Sequence, residues 1–193
     1  MEHPDPTSRK PLRRYRSRLA GTASSGDQAA PVSLRDELHK RDAFEQIEQE
    51  AYLSIARTAS HLTADFEALF GEFGLSNPLY NVLRIVAGHG KTGVPSQRIG
   101  QDLVSKGPDV TRLVDRLARL GLVERVSSPE DRRVTLVRIL PAGQRLLRKI
   151  KPGVKKLHAE QFRHMAPDQL RDLCDLLFLA RHPEHADAAP KEA

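Results

Sequence analysis

Between Val110 and Leu120 the apolar residues Val110, Leu113, Val114, Leu117 and Leu120 recur at the i, i+3, i+4, i+7 spacing of a helix with one buried face. Arg112, Arg116 and Arg119 repeat at i, i+4, i+7 on a separate stripe. Such a helix anchors itself in a core on one side and holds a row of guanidinium groups outward on the other. Gly121 stops it, and two short extended runs follow, Leu122 to Val126 and Val134 to Ile139. Between them lies the polar hairpin Ser127-Ser128-Pro129-Glu130-Asp131-Arg132. Taken singly, the helix could be an ordinary surface helix stabilised by an Asp115–Arg119 pair, and charged hairpins are common. Only their succession constrains the fold.

The flanking segments complete a pattern. Phe44, Ile47, Ala51, Ile55, Leu62, Phe66, Leu69 and Phe73 predict helix across Arg35 to Phe73, with a break near Thr58 to Thr63. A stripe this long and heptad-like implies packing on a partner. Ser76 is suited to N-cap a second helix that buries Leu79, Val82, Leu83 and Val86 and stops at Gly88-His89-Gly90-Lys91-Thr92-Gly93. A short third helix has Pro95 in its first turn and Ile99 and Leu103 inside. The turn Lys106-Gly107-Pro108 joins it to the arginine-bearing helix, which Pro108 opens. Beyond the hairpin, a helix over Ala142 to Met165 buries Leu146, Leu147, Ile150, Val154, Leu157 and Phe162, with a kink or interruption expected at Pro152-Gly153. A last helix from Pro167 uses Leu170, Leu173, Leu176 and Leu177. The predicted class is mainly α with a small β-hairpin wing: a winged helix-turn-helix over 76–140, flanked by dimerisation helices over 36–73 and 142–181.

Composition supports one domain with loose ends. Apolar residues make up 39% of 193, but aromatics only 5% and Trp is absent, so the core must rest on Leu, Val, Ile and Ala. Residues 1–35 are rich in Pro, Ser, Thr, Arg, Gly and Ala and are expected to be a disordered tail. Its basic run Arg9 to Arg18 could grasp DNA or simply be solvated. Residues 182–193 are expected to fray. The formal charge of +6 favours a polyanionic partner without naming one. A single cysteine excludes an internal disulfide, and no apolar stretch reaches the ~20 residues of a membrane span. A soluble, cytoplasmic protein is expected.

The residue types on the helix and hairpin suit double-stranded DNA. Arginine can bind guanine O6 and N7 in a major groove, and Ser, Thr and N–H groups at helix starts hold phosphate. A narrow ribbon with adjacent arginines, Arg132 and Arg133, can enter a minor groove. Asp131 would be repelled by phosphate and is expected to hold a neighbouring arginine in place.

The stretches Asp109-Val110-Thr111-Arg112-Leu113-Val114-Asp115-Arg116-Leu117, Gly121-Leu122-Val123-Glu124-Arg125 and Pro129-Glu130-Asp131-Arg132-Arg133, followed by Gly143, resemble the signature of the MarR family. Tyr80-Asn81-Val82-Leu83 and Ile99-Gly100-Gln101-Asp102-Leu103 extend the resemblance. It implies a homodimer with interleaved terminal helices on a pseudo-palindromic operator, usually a bacterial repressor released by a small-molecule effector. Thr111 and Arg112 fall where the family's recognition helix meets DNA, Arg133 at the wing arginine and Asp131 at the wing aspartate. With Ser96, Gln97, Lys106, Asp109, Arg116 and Arg132 they make up the expected DNA contacts, Asp131 being wing-orienting. His61, Tyr80 and Arg84 come from helices that, by the resemblance, border an effector pocket, although Tyr80 is better suited to the core and His61 equally to a dimer interface. Leu140 stands where the family usually has a capping Thr, though Pro141 can still start the next helix.

Competing chemistries are weaker. Cys174, between Leu173 and Leu176, is expected to be a core or dimer-interface cysteine rather than a sensor. His158, His164, His182 and His185 are expected to be surface histidines, with no metal and no cofactor. Phosphate loop, nucleophile elbow and metalloprotease pairing are all missing, so no enzyme is expected. The alternative of another class is a winged-helix protein-interaction scaffold or antirepressor without specific DNA binding. Cations on both the helix and the hairpin argue against it.

Overall fold

The computed structural model describes residues 33–188 except 91, 105–108 and 132, with side chains 186–188 left aside. In chain order the elements are α1 (Leu34–Glu37), α2 (Ile47–Gly71), α3 (Asn77–Gly88), β1 (Val94–Pro95), α4 (Ser96–Asp102), α5 (Val110–Arg119), β2 (Val123–Ser127), β3 (Thr135–Ile139), α6 (Pro141–Gln161) and α7 (Pro167–Arg181), then a 3₁₀ turn, Pro183–Ala188. Residues 41–162 form one compact unit; the described residues 33–40 and 163–188 belong to another.

In the larger unit, α3 turns Leu79, Tyr80, Val82, Leu83 and Val86 inward. Ile99 of α4, Val114 and Leu117 of α5, Val94, Val123 and Val137 of the sheet and Ile150 of α6 close around them, nearly all fully buried. Each such aliphatic side chain contributes about 1.5–3 kcal/mol relative to exposure. The Phe70 and Tyr80 rings stack with centroids 4.0 Å apart, tying the end of α2 to α3. Nearer the middle of α2, α6 is attached as well: Gln161 Nε2 donates to the Leu62 carbonyl at 2.9 Å and to Asp65 Oδ2 at 3.1 Å.

The helix pattern is as expected in order, with differences that have local causes. The N-terminal stripe is not one helix from Arg35: a Ser33–Asp36 capping box starts α1, His39 then adopts a left-handed φ of 52°, and helix resumes only at Ile47. Phe44 therefore precedes α2. The break expected near Thr58 to Thr63 does not occur: the helix is continuous there, and the Thr63 hydroxyl finds its partner within it, donating to the Ala59 carbonyl at 2.7 Å. Ser76 sits at the N-cap of α3 without a side-chain cap bond; Glu67 of α2 accepts the Asn77 N–H instead, at 3.2 Å to each carboxylate oxygen. Helix α6 begins at Pro141, runs without interruption through Pro152 and ends at Gln161, short of Met165. Phe162 leaves the helical region with φ −115°, and Ala166 opens α7 with its N–H bonded to Gln169 Oε1 at 2.9 Å.

The sheet has three strands in the order β1-β3-β2, all antiparallel. The third, β1, was not anticipated: two residues, Val94 and Pro95, pair with Val137 and Leu136, too few to show a period. Among the described residues no helix is long and apolar enough to cross a membrane.

Candidate nucleic-acid interface

Helix α5 is oriented by its buried side. Val114 and Leu117 are fully buried and Leu113 and Val110 pack against the core, so Thr111, Arg112, Asp115, Arg116 and Arg119 all face solvent. Leu120 does not join the buried face but is exposed at the C-cap. There Gly121, with φ 67°, completes a Schellman turn: its N–H bonds the Ala118 carbonyl at 2.9 Å and the Leu122 N–H bonds the Leu117 carbonyl at 3.0 Å. That turn delivers the chain directly into β2. At the other end, Asp109 Oδ1 accepts the Arg112 N–H at 3.2 Å and is the N-cap of α5. One oxygen of its exposed carboxylate thus caps the helix start.

The Asp115–Arg119 pair of an ordinary surface helix is not formed; Asp115 has a longer-range partner instead. Arg125 Nη2, on β2, lies 2.8 Å from Asp115 Oδ1 and 3.4 Å from the Thr111 carbonyl, joining the wing's first strand to α5. Arg119 is left in the last turn, where a cation suits the helix dipole.

The hairpin tip is built from its own side chains. The Ser128 hydroxyl, on a residue only 8% exposed, accepts the Glu130 N–H at 3.3 Å and the Asp131 N–H at 3.5 Å. Asp131 Oδ1 accepts the Arg133 N–H at 2.9 Å, and the Val134 N–H reaches the Asp131 carbonyl at 2.9 Å. Asp131 thus orders the wing by gripping the backbone of Arg133, not its guanidinium, which is exposed. Closing the base of the wing, Arg138 Nε donates to the Thr92 carbonyl at 3.4 Å.

Ser96 and Gln97 occupy the first turn of α4, Ser96 half-buried and Gln97 exposed. Lys106 and Arg132 lie outside the described residues. The residues expected at an effector pocket separate into two kinds. Tyr80 is buried against Phe70 in the core, whereas His61 and Arg84 are exposed. Among the described residues no hydrogen bond, ion pair or ring contact joins the three. Cys174 is exposed on α7, so the core reading of it is corrected.

Sequence reading missed Arg125, Ser128 and Glu67. The signal for Ser128 was present: a hydroxyl followed by Pro-Glu-Asp at a hairpin tip is a side-chain-capped turn. Arg125 and Glu67 act across elements, at sequence separations of ten residues each, beyond any local rule.

This geometry has known counterparts. Residues 73–134, from the end of α2 to the wing, match the sequence model of the MarR family. A MarR transcription factor from Planctomyces limnophilus is 39% identical, the match covering 71% of this chain and 99% of that one, with a TM-score of 0.55. The transcriptional repressor IacR of Pseudomonas putida is 26% identical over 156 residues, 80% of this chain and 92% of its own length. A mutant MarR from E. coli, solved in complex with operator DNA, is 22% identical over 72% of this chain and 98% of that one, with a TM-score of 0.64; it shows the same fold. With a buried apolar face and an exposed arginine stripe on α5, and a side-chain-ordered wing tied to it, the chain belongs to the MarR family of winged helix-turn-helix, DNA-binding transcriptional regulators.

Proposed function

We propose that the chain is a homodimeric, cytoplasmic repressor that binds a pseudo-palindromic operator and is released by a small-molecule effector. The observation that carries the reading is the division of α5: Val114 and Leu117 fully buried, Thr111, Arg112 and Arg116 exposed beside them. A helix so anchored presents its cations to a major groove, with Arg133 entering the adjacent minor groove from the wing. Arg132 is assigned to the wing with Arg133, and Ser96 and Gln97 at the start of α4 serve the phosphate backbone, together with Lys106. Repression is favoured by the likeness to IacR, a repressor by name. Release by an effector is the reading the family resemblance suggests, with the exposed His61 and Arg84 as candidate contacts and Tyr80 the less suited, being buried.

A dimer is supported by apolar side chains left open on the long helices. On α2, Ile47 and Tyr52 are each 70% exposed and Ile55 46%. On α7, Leu176 and Phe178 are also exposed. Two-fold symmetry then spaces the half-sites about one helical turn, ~10 bp, centre to centre. Tyr52→Glu with Ile55→Glu should yield monomer by sedimentation; an unchanged dimer would remove α2 from the interface.

The deciding experiment is binding of the purified chain to its own upstream intergenic DNA, titrated with salt and unlabelled competitor, alongside a genome-wide selection of bound fragments. Saturable binding that survives competitor, there or at a selected fragment, is expected. Affinity that competitor abolishes on every fragment would leave a basic protein without an operator.

A further inference from the structure

The C-terminal end of α7 carries a chemistry that DNA binding does not use. His182 stands just beyond the helix, half-buried, its ring stacked on Phe178 with centroids 4.4 Å apart. His185, in the following 3₁₀ turn, brings its ring within 5.6 Å of Phe178 and 5.9 Å of His182. Glu184 completes the group, its Oε1 lying 3.0 Å from His182 Nδ1 and 3.9 Å from His185 Nε2. One donor atom from each of the three lies within 4.8 Å of the other two. Among the described residues this is the one such gathering of His, Cys, Asp or Glu donors.

From these distances we infer that His182, Glu184 and His185 form a binding site for a divalent transition-metal ion of the zinc type. Two ligands held 2.0–2.1 Å from a tetrahedral ion sit roughly 3.3 Å apart. The two donor separations about Glu184, 3.0 and 3.9 Å, bracket that spacing. Two imidazoles with one carboxylate are a borderline donor set that suits zinc, nickel or copper over calcium or magnesium. Three protein ligands leave a position for water or for a further group. The plain alternative is a His182–Glu184 hydrogen bond on a solvated tail. Such a bond has no use for a second imidazole, yet the Phe178 ring gathers both histidines beside the carboxylate. It also sets the orientation of the His182 ring before any ion arrives, and so reduces the ordering that binding must supply.

The test uses the full-length chain without a histidine tag. Zn(II) is titrated by calorimetry and Co(II) by visible absorption, on the native chain, on a His182→Ala/His185→Ala double variant and on Glu184→Gln. One saturable equivalent per chain is expected, with the tetrahedral d–d bands of Co(II), lost in the double variant and weakened at least about ten-fold by Glu184→Gln. Circular dichroism should be the same in all three, since the substituted side chains lie beyond the last long helix. Absence of a saturable equivalent in the native chain would overturn the site. So would equal stoichiometry and affinity in the double variant, which would assign the ion to other histidines.

Discussion

The guanidinium of Arg125 and the carboxylate of Asp115 meet at 2.8 Å, and through them the wing's first strand is tied to the helix that carries Arg112 and Arg116. The partners are 33% and 54% exposed, so the pair contributes little stability, on the order of 0–1 kcal/mol. Its proposed importance is positional, since it links the two surfaces that the proposed function places on DNA. Arg125→Ala should therefore lower operator affinity several-fold while leaving the thermal midpoint nearly unchanged. Asp115→Asn should do the same, and the double variant should be no worse than either single one. Additive losses in that cycle would mean that Arg125 acts on DNA directly.

Arg112 is exposed on α5, and among the described residues its side chain makes no hydrogen bond or ion pair. Arg112→Ala should cost on the order of 1–3 kcal/mol in operator binding, with sequence preference relaxed at one base pair of each half-site. Arg133→Ala should instead flatten the dependence of affinity on salt or weaken preference for narrow-groove flanks. Operator affinity unmoved by Arg112→Ala would disprove the docking of α5.

Asp109 distinguishes a cap from a DNA contact. Asp109→Ala removes the bond to the Arg112 N–H and should destabilise the protein by about 0.5–2 kcal/mol in urea unfolding. Asp109→Asn keeps a capping oxygen and removes a negative charge from the surface proposed to face DNA. Near-native stability with equal or tighter DNA binding is expected of it. A loss of operator affinity in Asp109→Asn at full stability would show that the carboxylate itself reads DNA.

Gly143 lies in the first turn of α6, where a methyl group would collide with the Leu122 carbonyl and press on Ile139 and Leu83. Backbone cannot yield as a flexible side chain can, so Gly143→Ala should cost about 1–3 kcal/mol despite alanine's better helix propensity. At Gly100 the same methyl would meet, among the described residues, Val110 Cγ2 alone, at an ordinary 3.5 Å, and Gly100→Ala should be neutral or stabilising. Equal unfolding midpoints for the two variants would contradict the packing described between α6 and the wing.

Much of this protein was legible from local pattern. The period of Leu79, Val82, Leu83 and Val86, and of Val114 with Leu117, named the buried faces of α3 and α5 correctly, because a helix exposes or buries residues by rotation alone. Gly121 marked the end of α5 and the hairpin residues marked the wing, since turns need particular backbone angles and particular side chains. Periodicity did less well where a helix start or stop was marginal. Helix α2 is continuous through Thr63, Pro152 left α6 whole, and Phe44 fell outside its helix.

What the sequence by itself determined, then, is the order of the longer helices and the hairpin strands, the inner faces of α3 and α5 and the arginines of α5, all consequences of spacing along one chain; the leucines expected inside α7 are not buried, Leu176 being 48% exposed. The tertiary structure alone decided which distant groups meet: Glu67 at the start of α3, Arg125 on Asp115, β1 on β3, and Tyr80 in the core beneath Phe70. Each depends on two elements being brought side by side. A hydrogen bond or ion pair reaches only about 3 Å, so no pattern within either element can announce its partner.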